Sequence, residues 1–226
     1  MTDLNKFFVD VVMCIDKTGS MHYIFDEIKG GLEEFCSSMS AASLELGRAI
    51  TQLRIKVIVF GDYKYDDDPM SESEFFTMPE DLEALRAFLG GVNLGGGGDI
   101  EEDALEALSL ALRSDFSDGA RRRHIVMMFS DSPAHKLGTN AHCPAYPNDM
   151  PSDIWQLKNR WEGKDPSFSG SYHARSGRLV AFVPECEPWI ELETWERYIA
   201  LYPSPAVSSE YAGVFKSIDF CKNILI

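Results

Sequence analysis

The sequence lacks the features that mark membrane-spanning and disulfide-rich secreted proteins. Its longest apolar stretch, residues 7–15, is interrupted by Asp10, whereas a helix that spans a bilayer needs about 20 apolar residues. The stretch also lacks the basic flank and the small-residue cleavage site of a signal peptide. The 5 cysteines are odd in number and form no CxxC pair, so we expect reduced thiols and a cytoplasmic protein.

Basic residues are scarce in this chain. Lys and Arg number 21 against 36 Asp and Glu, which gives a net charge of −15. A chain of this charge is repelled by phosphate backbones and anionic lipid, so we expect neither nucleic acid nor a membrane among its partners. Hydrophobic residues make up 45% of the sequence, enough for a buried core, which argues against disordered and collagen-like classes. The acid excess instead suits metal ions or basic partners.

Segments with the periodicity of strands and of helices alternate along the chain. The almost uninterrupted apolar run at 7–15 is typical of a central strand that is covered on both faces. Further strands are predicted at residues 54–61, 74–77, 124–129, 178–183 and 198–201. Helices are predicted at 23–39, 77–89, 100–112, 154–161, 188–197 and 218–226, the second of them opened by a capping box from Thr77 and Glu80.

This alternation predicts one α/β domain over residues 1–226. Alternating strands and helices build a Rossmann-like fold, in which a mostly parallel central sheet is flanked by helices. The segment at 74–77 is expected to form one short antiparallel edge strand. Residues 132–176 are polar and rich in Pro and Gly, so we expect a less regular insertion there.

Polar residues follow the predicted strands, at the sheet edge where open α/β sheets bind ligands. Asp16, Thr18 and Ser20 follow the first strand and offer a carboxylate and two hydroxyls. Asp131 follows the 124–129 strand, and a run of four glycines leads into Asp99 at a predicted helix start. A set of ligands that are all oxygen atoms suits a hard cation, and we expect Mg²⁺, with Mn²⁺ or Ca²⁺ as alternatives. The lack of a cluster of cysteines or histidines argues against zinc.

The Asp16-x-Thr18-x-Ser20 motif resembles the DxSxS motif of von Willebrand factor A domains. In that family, the motif combines with a downstream Thr and a downstream Asp to form a metal-ion-dependent adhesion site. The resemblance implies that Asp16, Thr18 and Ser20 hold the metal, and it makes Asp131 the final Asp. It aligns Asp99 with the family Thr, which is a departure from the pattern.

The stretches VDVVMCIDKTGSM and GGGGDIEE most closely resemble bacterial stand-alone members of this family. Those proteins carry patterns like VDVVFxIDxTGSM and GGGDxPE, so Glu101 stands at the proline position and Glu102 matches the family Glu. The resemblance implies that Gly19, Gly98 and Glu102 support the site. RLVAFVPECEPW is similar to the family's C-terminal strand and turn, so the likeness spans nearly the whole chain and is weakest over 132–176.

Two classes of function fit these residues. In the first, which the family resemblance implies, the chain is a binding module without enzymatic activity that recruits or scaffolds a protein partner in a bacterial intracellular complex. The partner then supplies a carboxylate to the cation. In the second, the chain is a metal-dependent phosphohydrolase with Asp16 as nucleophile. That chemistry needs an acid two residues later, where Thr18 stands, so the sequence favours the binding module.

Each motif also has a purely structural interpretation. The Asp16 motif could be a turn whose side chains cap the following helix, and Asp99 with Glu102 could be a capping box. The acidic run at 66–68 is predicted to be a solvated loop. His135 comes shortly after Asp131 and could lie near the site, but the sequence favours a structural or exposed residue. If Asp99 does bind the cation, a third carboxylate predicts tighter metal binding and weaker attraction for a partner carboxylate than in a relative with Thr.

Overall fold

The structure, a computed structural model, describes residues 6–202 and 213–226. Within these residues, seven strands form one mixed sheet in the order β3-β2-β1-β5-β6-β7, with β4 also paired to β2. The strands are β1 (Phe7–Asp16), β2 (Gln52–Phe60), β3 (Met70–Glu72), β4 (Phe76–Met78), β5 (Arg121–Phe129), β6 (Gly177–Phe182) and β7 (Tyr198–Leu201). This architecture confirms the predicted α/β fold with a mostly parallel central sheet.

The apolar run of β1 forms the centre of the sheet. Val11 pairs with Ile55 of β2 on one side and with Ile125 of β5 on the other, and both pairings are parallel. Strands paired on both edges and covered on both faces need apolar side chains in both directions. The run at 7–15 therefore places the end of β1, and with it Asp16, in the middle of the sheet edge where β2 and β5 also end.

Helices cover both faces of the sheet. They are α1 (His22–Glu45), α2 (Leu82–Gly90), α3 (Ala104–Leu112), α4 (Ile154–Trp161) and α5 (Ile218–Leu225). Buried residues of α1, α2 and α5 pack with Met13 and its neighbours on one face. Those of α3 and α4 pack with Val12 and Cys14 on the other face. Among the described residues, no helix combines the length and apolar character needed to cross a bilayer.

The antiparallel edge consists of two short strands beside β2. β3 pairs with the carboxyl end of β2 at Phe60, and β4 pairs with its middle at Ile55. The sequence placed this edge at 74–77 and contained no signal for β3. The five cysteines all lie in the described part of the chain and are free thiols, as expected.

Three predicted helix starts or extents are wrong. The predicted capping box does not open α2, because Asp81 precedes that helix and its carboxylate accepts from the backbone NH of Thr77 at 2.8 Å. The segment predicted as a helix over 188–197 contains a short 3₁₀ turn at Glu191–Thr194. The helix expected from residue 100 begins at Ala104, and Ile100 is exposed.

Candidate metal centre

The ends of β1 and β5 bring the Asp16 motif and Ser130 together. Ile15 pairs with Phe129, so Asp16, the last residue of β1, and Ser130, which follows β5, lie side by side. Ser130 Oγ donates to Asp16 Oδ2 at 2.8 Å. Thr18 donates to the other carboxylate oxygen through both its backbone NH, at 2.8 Å, and its hydroxyl, at 2.7 Å. Thr18 Oγ1 in turn lies 3.2 Å from Ser20 Oγ, so the oxygens of the motif converge on one point.

The site is closed towards the sheet and open towards solvent. Asp16 is fully buried, whereas Ser20 and Asp131 are exposed. Burial raises the pKa of Asp16 to about 6, against the opposing effect of its hydrogen bonds from Thr18 and Ser130, and the charge of Asp131 raises it further. An incoming cation would therefore meet exposed oxygens first and a buried, ionisable carboxyl behind them.

Glu102 is more than a supporting residue. It is 2% exposed, and its Oε2 has no hydrogen-bond partner among the residues that the structure describes. A Cβ at Gly97 would lie 3.1 Å from Glu102 Oε1 and 3.7 Å from Thr18 Cγ2, so both side chains flank this glycine, whose φ is 81°. Burial raises the pKa of Glu102 to about 9, and the charges of Asp16 and Asp62 contribute. A buried carboxyl with a free oxygen beside the motif is a candidate ligand.

The two glycines expected to support the site differ. At Gly98, a Cβ would lie 2.3 Å from the Tyr65 ring, so the missing side chain lets that ring pack on the backbone. At Gly19, a Cβ would meet no atom of the described residues within 4 Å. Steric demand therefore explains Gly98 and leaves Gly19 without an explanation.

Asp99 lies beside His135. Its Oδ1 is 3.4 Å from His135 Nε2, and its side chain is 38% exposed. The alternative that Asp99 caps a helix is wrong, because α3 begins at Ala104 and Asp103 precedes it. Asp16, Asp99 and Asp131 do not form a compact three-ligand group in the described part of the chain. That Asp99 binds a metal stays a prediction, now with different neighbours.

The prediction of a solvated loop at 66–68 is wrong for Asp66. Its side chain is 4% exposed and accepts from the backbone NH groups of Asp62 and Gly97, each at 3.0 Å. It also lies 3.7 Å from Lys17 Nζ. Asp66 thus ties the glycine run to the loop after β2, while Asp67 and Asp68 are exposed as expected.

His135 is the centre of a buried polar network that the sequence did not reveal. Its Nε2 lies 2.9 Å from Asp62 Oδ2, and its Nδ1 lies 3.3 Å from Glu101 Oε2. Burial alone would lower the pKa of His135, but the hydrogen bond to Asp62 and nearby carboxylates raise it above its ordinary value. Asn140 donates to Asp62 at 3.3 Å and to Asp103 at 3.0 Å.

One signal in the sequence could have identified Asp62. It comes just after the carboxyl end of β2, as Asp16 stands at the carboxyl end of β1, and the rule that ligands bind at these strand ends applies equally to both. Across residues 6–202 and 213–226, Asp62, Asp99 and His135 are the group of acids, histidines or cysteines whose ligand atoms all lie within 4.8 Å of one another.

Comparison with known proteins identifies the fold and leaves the family open. No protein-family model matches the sequence, and no curated protein matches it. The pilus adhesin SpaC from Lactobacillus rhamnosus GG superposes on 96% of this chain with a TM-score of 0.55 at 13% identity. Its open conformation gives a TM-score of 0.52 at 12% identity. Proximal thread matrix protein 1 from the mussel byssus covers 94% with a TM-score of 0.50 at 12% identity.

The chain spans only part of each of these proteins. It corresponds to 30% of the length of the adhesin and to 48% of the length of the matrix protein. At such low identity, the likeness shows a shared fold and nothing further.

Proposed function

We propose that this chain is a von Willebrand factor A-like binding module that binds a protein partner through a divalent cation. Mg²⁺ is the cation that we favour. The observation that carries the proposal is the convergence of the Asp16 motif, in which Thr18 Oγ1 lies 2.7 Å from Asp16 Oδ1 and 3.2 Å from Ser20 Oγ. Family resemblance places the partner in a bacterial intracellular complex. The partner supplies a carboxylate to the cation.

The residues at this edge fit a hard cation. Asp16, Thr18, Ser20 and Asp131 offer only oxygen, the ligand atom that Mg²⁺ prefers. Glu102 adds a buried carboxyl oxygen that lacks a partner among the described residues, and a buried polar atom of this kind costs about 1–3 kcal/mol while it remains unpaired. Bound there, the cation would offer an electrophilic centre to an anionic group on the exposed side.

Asp16 is poorly placed for the alternative, a phosphohydrolase. A nucleophile must reach its substrate, but Asp16 is fully buried and both carboxylate oxygens accept hydrogen bonds. Thr18 occupies the position where a general acid would stand. Both observations favour binding over catalysis.

The direct test is recovery of partners from bacterial lysate in Mg²⁺ and in EDTA. We expect a set of partners that elutes with EDTA and is not recovered by Ser20→Ala. Ser37→Ala, on the exposed side of α1, is the matched control and should behave as wild type. An identical partner set in Mg²⁺ and EDTA would rule out metal-mediated recruitment. Mg²⁺-dependent hydrolysis of a phosphate ester that is lost in Asp16→Asn would support the phosphohydrolase instead.

A further inference from the structure

The loops after β2, before α3 and after β5 meet at a point that the proposed magnesium site does not use. Asp62, Asp99 and His135 each come from a different one of these loops. His135 Nε2 lies 2.9 Å from Asp62 Oδ2 and 3.4 Å from Asp99 Oδ1. Tetrahedral ligands about 2.0 Å from a zinc ion are about 3.3 Å apart, which is close to these two separations, and the ligand atoms of all three residues lie within 4.8 Å of one another.

Neighbouring groups hold the ligand atoms in the orientation that a metal requires. Glu101 Oε2 lies 3.3 Å from His135 Nδ1, which leaves Nε2 for a metal. The other oxygen of Asp62, Oδ1, accepts from the amide of Asn140 at 3.3 Å and from the backbone NH of Lys64, which leaves Oδ2. A carboxylate on the second nitrogen of a ligating histidine and hydrogen bonds to a ligating carboxylate are typical of protein metal sites.

The charge around His135 is also unbalanced. Asp62, Asp99 and Glu101 lie within 3.4 Å of one imidazole ring, which carries at most one positive charge. Lys64 interacts with the charges of Asp99 and Asp62, but it is exposed to solvent and its ammonium contacts the Tyr65 hydroxyl at 2.7 Å, so it offsets them only in part. A divalent cation would supply the missing positive charge between the carboxylates.

We propose that Asp62, Asp99 and His135 form a second cation site, selective for a transition metal such as Zn²⁺. Imidazole together with carboxylates suits Zn²⁺, Co²⁺ and Ni²⁺, whereas Mg²⁺ prefers oxygen ligands alone. Three protein ligands leave a fourth position open. The 38% exposure of the Asp99 side chain gives the ion and a small ligand, water or a carboxylate, a path to that position. The site extends the proposed function and does not depend on it.

The test is titration of metal-free protein with Co²⁺, followed by absorption spectroscopy. We expect one Co²⁺ to bind per protein chain and to show the visible absorption bands of a Co²⁺ ion with few ligands. Zn²⁺ should displace this Co²⁺, and millimolar Mg²⁺ should not. His135→Gln should weaken Co²⁺ binding by at least about tenfold. Losing a residue that only orients a metal ligand already weakens metal binding by about 10- to 100-fold, and His135 is proposed to be a ligand itself. Because His135 is buried, Asp99→Asn is the second variant. The Asp99 side chain is 38% exposed, so this substitution should leave the fold intact and lower Co²⁺ affinity through the lost ligand.

Two controls separate this site from other places on the chain. His142→Gln changes an exposed histidine whose Nε2 lies 3.8 Å from Cys143 Sγ, and it should bind Co²⁺ as wild type does. Ser20→Ala should also leave Co²⁺ binding unchanged while it lowers Mg²⁺ affinity. If His135→Gln and Asp99→Asn melt as folded proteins and bind Co²⁺ as wild type does, the proposal is wrong and His135 only neutralises its acidic neighbours. Loss of binding in His142→Gln or Ser20→Ala alone would equally overturn it.

Discussion

Ser20 is the exposed member of the oxygen cluster at the end of β1 and the cleanest single probe of it. Its hydroxyl contacts Thr18 Oγ1, and the residue is exposed to solvent. We expect Ser20→Ala to lower Mg²⁺ affinity about tenfold or more, because the proposed site loses one of its direct ligands. The melting temperature of the metal-free protein should change by less than about 2 °C, since surface substitutions alter the free energy of unfolding by only about 0.5 kcal/mol. Calorimetric titration and thermal melting measure the two effects. A strongly destabilised metal-free variant would show that Ser20 is a structural cap.

Glu102 makes the stability of the metal-free protein depend on pH. Burial raises the pKa of this carboxyl from its ordinary value to about 9, so the folded protein keeps a proton that the unfolded chain has released above about pH 4.5. Stability contributed by this proton is present at low pH and is lost as the pH rises towards 9. The slope is at most about 1.4 kcal/mol per pH unit.

Glu102→Gln should remove this contribution because the amide cannot ionise. In EDTA, we expect the variant to gain at least about 1 kcal/mol relative to wild type between pH 6 and pH 9, as measured by urea unfolding. The exposed Glu80→Gln is the control and should show no such trend. A stability difference that is constant with pH would mean that Glu102 is ionised at neutral pH and has a partner in solution.

Site residues were predictable from sequence where they are close in sequence. Asp16, Thr18 and Ser20 lie within one turn, so their spacing alone indicates that their side chains meet, as they do. Asp62 and His135 meet across loops that only the completed sheet brings together, and no spacing in the sequence encodes that contact. Spacing along the chain, which argues against zinc, does not reveal a histidine and acids that the fold brings together from distant loops.

At the scale of elements, β1 carries a polar anchor at the end opposite to the candidate site. Asp10 is 1% exposed and accepts from Arg54 Nε at 2.8 Å, from Arg54 Nη2 at 2.9 Å and from the backbone NH of Ser117. This carboxylate links β1, β2 and the loop that precedes β5. Removing one partner of a buried ion pair leaves the other charge without compensation.

We therefore expect Asp10→Ala to lower the free energy of unfolding by about 3–5 kcal/mol. Mg²⁺ affinity of the folded variant should stay within about twofold of wild type, because the residue lies near the amino end of β1 and the site lies at its carboxyl end. Asp118→Ala, which removes an exposed ion pair with Arg122, is the matched control and should cost less than about 1 kcal/mol. Equal losses in the two variants would contradict the anchoring role of Asp10.

Hydrophobic periodicity predicted the elements well wherever packing alone defines them. The bounds of α4 and β7 agree with the sequence prediction, and every long strand was found. Helix starts failed where an acid that could cap a helix bonds elsewhere. Asp81 bonds to the backbone of Thr77 in β4, and Asp103 accepts from Tyr63 and Asn140. Local capping rules cannot anticipate the long-range contacts of Asp103, and they do not distinguish a capping acid from one that, like Asp81, bonds to the backbone four residues before it.

For the molecule as a whole, cation binding should appear as increased stability. A ligand that binds only the folded state at 100 times its Kd adds about 2.7 kcal/mol. For a chain of this size, that corresponds to a rise in Tm of about 5–10 °C. NaCl at matched ionic strength is the necessary control, since the net charge of −15 also responds to screening. Wild type should show the rise with Mg²⁺, and Ser20→Ala should lose most of it. An equal rise with NaCl alone would mean that general screening is responsible.

The position of β1 between β2 and β5 also determines how this chain can fold as it leaves the ribosome. β1 is synthesised first, yet one of its two partners follows only after β2, the antiparallel edge, α2 and α3 have been made. Parallel pairing over such a separation folds slowly, and until it forms, an apolar strand edge stays open to wrong contacts. A nascent chain arrested after α3 should therefore bind chaperones or aggregate, whereas one arrested after β6 should have its central strand paired on both sides.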